Sequence, residues 1–202
     1  MPVITISRQF GAGGTTLARL VADRLGYKLV YDEIVDTLAQ KANISIEGVK
    51  AFESEGIDMF DPEAGFFSPK RFIDHIFDSR RKYMDGQTYV QLLKEIIPGI
   101  VSKGDMVVLG RGAQFILKGH PDAIHVLCVA DLPDRIRFMQ QSYHLSAADA
   151  EAAVLRQSKR RAKLMKLFHH EDYDHPFNYD MVLNMSKVDM DTAVKLVIKL
   201  AE

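Results

Sequence analysis

Tryptophan is missing from this chain, and cysteine appears once in 202 residues. The lone Cys128 rules out an intrachain disulfide framework and fits a reducing compartment. It lies within an apolar run, where a small buried hydrophobe is the ordinary role and a nucleophile the exceptional one. An excess of either charge is missing too: 26 Lys and Arg stand against 27 Asp and Glu, a net charge of -1. That balance offers no general attraction to nucleic acid or to a membrane surface, so any basic site must be local. No apolar stretch approaches the ~20 residues that a membrane-spanning helix needs. The first strand begins at once, leaving no room for a signal peptide. Internal repeats and low-complexity tracts are absent as well. What remains is the profile of one cytoplasmic globular domain, 47% hydrophobic and 26% charged, long enough to bury its own core.

One further absence falls inside the most informative stretch. An apolar run, Val3-Ile4-Thr5-Ile6, meets Ser7-Arg8-Gln9-Phe10-Gly11-Ala12-Gly13-Gly14-Thr15-Thr16. Leu17, Leu20, Val21, Ala22 and Leu25 then recur at helical spacing up to Gly26. This is a strand, a glycine-rich turn and a helix. In the phosphate-cradling form of that unit, glycines let backbone N–H groups close around an anion. The helix start adds its positive dipole end, and a hydroxyl there can ligate magnesium. Gly11, Ala12, Gly13 and Gly14 supply the turn; Thr15 and Thr16 supply the hydroxyls. The strict spacing G-x-x-x-x-G-K-[ST] is not met, because its first glycine falls on Arg8 and its lysine on Gly14. Arg8 is the nearest cation and could supply the missing charge, although a guanidinium is bulkier and reaches differently. A tight turn with no ligand is the competing reading.

Beyond the first helix, Tyr27 to Tyr31 reads as a short second strand, and Asp32 as the cap of a helix continued by Ile34, Val35, Leu38 and Ala39. A carboxylate just past a parallel strand also lies on the edge where such sheets bind ligands, so Asp32 can serve as cap, as site residue, or as both. Residues 44–104 read as helical but irregular, with a helix opened by Ser45 and turn signals from Gly56 to Pro69. Met59, Phe60, Phe66 and Phe67 in that stretch could pack inside, cover a cleft, or contact a second copy of the chain in a homodimer. Ser68-Pro69 starts a further helix that runs to the basic trio Arg80-Arg81-Lys82, and another carries Tyr89, Leu92, Leu93, Ile96 and Ile97. Met106 to Leu109 is a continuous apolar strand of the kind buried on both faces. It stops at Gly110-Arg111-Gly112, and an arginine between glycines at that edge reads as an anion ligand. Ala123 to Val129 forms the fourth strand; Asp131 caps the helix after it, with Pro133 in its first turn. Ser146 opens a long helix that carries Arg156, Lys159, Arg160, Arg161, Lys163 and Lys166, the densest basic run in the chain. The loop from His169 to Pro176 is rich in histidine and acid but matches no zinc spacing. Met181 to Leu183 is the fifth strand, and a helix from Asp189 or Asp191 to Leu200 closes the chain.

Strands alternating with helices imply right-handed crossovers and a parallel sheet covered on both faces. The expected fold is α/β and three-layered: a core of residues 1–43 and 105–202, a helical insert at 44–104 placed to bind an acceptor, and a mobile lid at about 156–176. In this order the landmarks resemble the cytidylate kinase-like family of P-loop proteins. The likeness rests on Ile4 to Gly14, Tyr31-Asp32-Glu33, Val107 to Ala113, Lys159 to Ala162 and Tyr179 to Asn184, and runs over essentially the whole chain. It is closer to the branch named only by likeness than to authentic cytidylate kinases. The resemblance implies an adenylate-kinase-type P-loop NTPase core, ATP as phosphoryl donor, magnesium, and a small nucleotide acceptor similar to cytidine monophosphate. Two departures stand out. Authentic cytidylate kinases carry the loop lysine where this chain has Gly14, and aspartates where it has Leu109 and Gly112.

The expected assignment follows. Backbone N–H groups of Gly11, Ala12, Gly13, Gly14 and Thr15 hold the β-phosphate, and Thr15 or Thr16 holds magnesium. Arg8 stands in for the lysine. Asp32, Gly110 and Arg111 face the acceptor, while Arg156, Arg160 and Arg161 close over the transferring group. No nucleic acid or membrane partner is expected. The rival is a nucleotide-binding regulatory module without kinase activity, favoured by the missing lysine and aspartates and disfavoured by the retained arginines.

Overall fold

β1 (Val3–Arg8) is the middle strand of a five-stranded parallel sheet, flanked by β3 (Met106–Leu109) on one side and β4 (Ala123–Val129) on the other. β2 (Lys28–Val30) lies outside β3 and β5 (Met181–Asn184) outside β4, giving the order β2-β3-β1-β4-β5. Ile4 pairs with Val107 on one side and Ile124 on the other, which fixes the register. The structure, a computed structural model, describes residues 2–56, 84–168 and 172–202. The turn-rich stretch with Met59, Phe60, Phe66 and Phe67, the helix from Ser68-Pro69 to the basic trio, and His169-His170-Glu171 lie outside those residues.

Both faces of the sheet are covered, and the strand sequences show why. In β3, Met106 and Val108 join a core with Ile34, Leu38, Leu93 and Ile97. Val107 and Leu109 point the other way, into a core with Ile4, Ile6, Val21 and Val194. A run apolar at every position satisfies two cores at once, as a strand sandwiched between helices must. The first face is covered by α2 (Asp32–Ala42) and α4 (Gly86–Val101), the second by α1 (Gly14–Leu25) and α8 (Met190–Ala201). Between α2 and α4, α3 (Ile46–Ala51) runs directly into a π-helical turn, Phe52–Gly56. α5 (Ala113–Ile116) follows β3, and α6 (Leu132–Tyr143) and α7 (Ala147–Lys166) separate β4 from β5.

Four helix starts obey local chemistry visible in the sequence, whereas Asp131, the N-cap of α6, makes no side-chain capping bond. Ser45 accepts from Gly48 N at 3.0 Å, Asp85 from Thr88 N at 2.8 Å, Ser146 from Asp149 N at 3.1 Å and Asp189 from Thr192 N at 2.9 Å. Asp32 departs from its expected role. Tyr31 is the N-cap of α2, Asp32 is the first helical residue, and no side-chain capping bond forms there. Its carboxylate, exposed in the first turn, favours the helix dipole instead. The second strand is also shorter than expected, because Tyr27 and Tyr31 fall outside the Lys28–Val30 pairing with β3. Among the described residues no helix is long and apolar enough to cross a membrane.

Candidate functional site

Because the chain goes from β1 outward to β2 and β3, then across to β4 and β5, the strand order reverses about β1. Ligands of open parallel sheets bind outside the carboxyl ends of the strands at such a reversal. A cavity of about 590 Å³ opens there. α1 begins at its floor. The N-cap, Gly13, has φ 74 and can offer no side-chain cap, and no acidic residue sits in the first turn. The first intrahelical bond is Leu17 N to Gly13 O at 3.0 Å, so the amides of Gly14, Thr15 and Thr16 have no helical acceptor. A 12-residue helix with a glycine N-cap and no acid in its first turn has the dipole and the N–H groups that an anion would need.

The glycine loop is clamped from both sides. Gln9 N donates to Cys128 O at 2.9 Å, and the Gln9 side-chain oxygen accepts from Ala130 N at 3.2 Å, tying the loop to the end of β4. Gly11 has φ 86, and a β-carbon there would lie 2.8 Å from the Arg135 carbonyl oxygen of α6. Gly11→Ala therefore meets both a strained backbone and a backbone atom that cannot swing away. It should cost about 1–3 kcal/mol of stability, read from the denaturant midpoint; an unchanged midpoint would mean that the loop does not pack on α6 this closely.

Among the described residues, five arginines line the cavity (Arg8, Arg19, Arg111, Arg160 and Arg161) against one carboxylate, Glu53. In a chain of net charge -1 this is a strong local concentration of positive charge. Two of the five are already paired. Arg111, only 6% exposed, donates from Nε to Glu53 Oε1 at 2.6 Å, from Nη2 to Glu53 Oε2 at 3.1 Å and from Nη1 to the Tyr31 carbonyl at 3.0 Å. Its guanidinium also stacks 4.2 Å from the Tyr31 ring centroid. Glu53 Oε1 accepts in addition from the buried Tyr89 hydroxyl at 2.7 Å. Burial alone would lower the Arg111 pKa, but the hydrogen bonds and charge of Glu53 outweigh it and the net shift is upward. Tyr89 is pushed well up, first by burial and then by the same carboxylate. Arg161 forks onto Asp174 at 2.8 and 2.5 Å, donates to Ser7 Oγ at 3.1 Å and lies 4.8 Å from the Tyr173 ring centroid.

The remaining cations are less satisfied. Burial lowers the Arg8 pKa, and the positive charges of Arg111 and Arg161 add to that while Tyr31 opposes it. Arg160 Nε is buried with no hydrogen-bond partner among the described residues. The same holds for Nε of Arg135, whose Nη1 donates to Ser158 Oγ at 3.2 Å and whose pKa burial lowers against the pull of Asp174. Cys128 sits fully buried beneath the loop, and burial pushes its thiol up to about 12. Its stabilising effect is complete below the ~8.5 of a free thiol and fades as pH rises through the folded value. An alkylating reagent at pH 8 should leave Cys128 unmodified until the chain unfolds; rapid labelling of the native protein would refute that burial.

Most residues expected at the site meet here. Arg8, Gly11, Gly13, Gly14, Thr15, Thr16, Gly110, Arg111, Arg160 and Arg161 all line this cavity. Ala12 faces a second space of about 420 Å³, between the loop, α6 and the start of α8, which shares Gly11, Gly13 and Phe138 with the first. Asp32 and Arg156 line neither space, and both are exposed. Glu53 and Tyr31, which line the cavity, go unanticipated, as do two residues behind it: Asp174, which holds Arg161, and Arg135, which packs on Gly11. Arg135 carried a signal, since it lies one turn into the helix after β4, near the edge where open parallel sheets generally bind ligands. Glu53 carried none, being one acid in an irregular helix 58 residues from its partner.

Residues 3–187 match the sequence profile of the cytidylate kinase-like family. The cytidylate kinase of Archaeoglobus fulgidus is 24% identical over 200 residues, covering 98% of this chain and 94% of that protein. Among solved structures, an uncharacterised protein from Eubacterium ventriosum superposes with a TM-score of 0.64 at 18% identity, over 100% of this chain and 98% of that one. Shikimate kinase from Acinetobacter baumannii, solved with shikimate, gives a TM-score of 0.52 at 14% identity, over 99% of this chain and 92% of that one. At these identities the structural likenesses speak to the fold.

Proposed function

Because the chain belongs to the cytidylate kinase-like family, we propose that it uses ATP and magnesium to phosphorylate a nucleoside monophosphate or a related small anionic acceptor. The observation that carries the reading is the bare start of α1, opening into a cavity with five arginines and one carboxylate. Phosphoryl transfer asks a protein for little covalent chemistry and much placement of charge, and that is what these residues supply. The triphosphate lies along Gly11 to Thr15, with the nucleoside in the smaller space beside Ala12 and the acceptor in the larger one towards Tyr31 and Gly110. Arg160 on α7 faces the bond being made, while Arg161 beside it is held by Asp174. Among the described residues no group of three or more His, Cys, Asp or Glu could cage a metal, whereas Thr15 and Thr16 bring hydroxyls to the phosphate end of the cavity. That donor set suits an ion that arrives with the nucleotide and keeps most of its oxygen ligands from phosphate and water. Magnesium would be held beside Thr15 and Thr16 and would supply positive charge against the phosphates.

A regulatory nucleotide-binding module is the second reading. It draws support from Arg111 and Arg161, whose forks already hold Glu53 and Asp174. Magnesium-dependent ADP release, measured across nucleoside monophosphates and shikimate and paired with ATP calorimetry, separates the two. Turnover with one acceptor establishes a kinase and its substrate. Tight ATP binding without turnover on any acceptor favours the module, and no binding refutes both.

A further inference from the structure

The phosphate-loop spacing fails at positions 8 and 14, and in the fold those two positions touch. A β-carbon added to Gly14 would lie 2.5 Å from Arg8 Cβ and 3.0 Å from Arg8 Cγ, well inside ordinary carbon contact. The Arg8 stem thus crosses the α-carbon of Gly14, and its guanidinium comes to rest against Gly110, where an added β-carbon would collide with Nη1. Gly14 needs no glycine for its own backbone. It is the first residue of α1 and is not among the positive-φ positions of the chain. The space above it is simply taken. A lysine side chain at 14 would have to start in the volume that the arginine stem fills.

The charge that Arg8 carries has no use within the described structure. Among the described residues it makes no ion pair; Arg111 and Arg161 are charged neighbours that act on it, and the Tyr31 ring centroid lies 6.0 Å away. Those two arginines hold Glu53 and Asp174, while Arg8 keeps its position without an ion pair. A half-buried guanidinium beside two like charges is costly unless an anion completes the group. Its head lies at Gly110, which lines the same cavity as Gly14, Thr15 and Thr16.

We propose that positions 8 and 14 have exchanged the glycine and the cation of an ordinary phosphate loop, so that Arg8 meets the terminal phosphates of a bound nucleoside triphosphate through the space a lysine at 14 would use. The proposal rests on the nucleotide reading above and adds that the two departures from the pattern are one linked change. The exchange alters the chemistry as well as the address. A lysine rides on the helix as a single mobile point charge, whereas Arg8 is anchored in the central strand and presents a planar fork. It can hold two phosphate oxygens at once, at a fixed distance from Gly110 and the acceptor side.

The test combines thermal unfolding with calorimetry of magnesium-ATP and of tripolyphosphate. Gly14→Ala should lower the unfolding temperature by several degrees when Arg8 is present and have little effect in an Arg8→Gly background. Arg8→Met keeps the stem and removes only the charge; it should weaken binding of both ligands by about ten- to a hundredfold, the size of a lost charge-assisted hydrogen bond. The double change Arg8→Gly/Gly14→Lys, which rebuilds the strict pattern, should bind ATP within a few-fold of the native chain. Equal destabilisation by Gly14→Ala in both backgrounds would overturn the exchange. So would native affinity in Arg8→Met, and either result leaves the nucleotide reading intact. A native protein that binds neither ATP nor tripolyphosphate would defeat the nucleotide reading and this proposal together.

Discussion

Replacing Glu53 with alanine should destabilise the protein more than truncating any other charged group at the cavity. The side chain is 19% exposed and its partner Arg111 only 5%, so water can do little to replace what is lost. The substitution strands Nε and Nη2 of Arg111 and the hydroxyl of Tyr89, all of which now bond to this one carboxylate. Breaking a buried pair from one side typically costs about 3–5 kcal/mol, because an uncompensated charge remains inside. For a chain near 200 residues that corresponds to a fall of roughly 10 °C in Tm. Removing both charges should cost less than removing one. Glu53→Leu/Arg111→Met leaves no buried ion, and its Tm should lie above that of Glu53→Ala. Strict additivity of the two single effects would show that the pair is not coupled and that Arg111 is free to serve an incoming anion.

This pair also marks the boundary between what the sequence disclosed and what it hid. β1, the glycine turn and α1 were legible because three local signals agreed: an apolar run, clustered glycines, and helical spacing after them. The central strand β3 was legible because an unbroken apolar run has few other uses, and Met106 to Leu109 serves both cores at once. Gly110-Arg111-Gly112 was rightly placed at the sheet edge, but where the donors of Arg111 point is a tertiary matter. Three successive left-handed residues, with φ 75, 52 and 68, turn that side chain towards α2 and the π-helical turn, where Glu53 and Tyr31 receive it. Nothing in the one-dimensional pattern marks Glu53, since π-helical turns have no sequence signature but cluster at functional sites. Asp32 fails as a cap for a simpler reason: a short polar residue after a strand suits that role, yet Tyr31 takes the place and leaves the carboxylate in solvent.

The cavity therefore divides its arginines into two kinds. Arg111 and Arg161 are held by acids from other parts of the chain and shape the walls. Arg8, Arg160 and the exposed Arg19 line the same space without an ion pair among the described residues. A protein gains nothing in stability from burying a donor it does not satisfy, so such groups are where a ligand's negative charge is expected.

Arg160→Ala should accordingly abolish most turnover while leaving the fold as stable as before. Its Nε is buried without a hydrogen-bond partner, so truncation removes a desolvated donor rather than a native contact. If the guanidinium meets the phosphoryl group in flight, the effect belongs to kcat. Arginines that act on the transferring group are worth about 10³-fold or more in rate. ATP affinity in calorimetry should change far less, because stabilisation of the transition state does not require equal binding of the ground state. Arg156 supplies the control. It sits one helical turn earlier on α7, is exposed and lines no part of the cavity, so Arg156→Ala should leave both kcat and affinity near native values. The comparison decides what α7 does. Equal losses from both arginines would point to a general electrostatic field, screened by salt and spread along the helix. A loss confined to Arg160, insensitive to salt, would place one guanidinium at the reacting group.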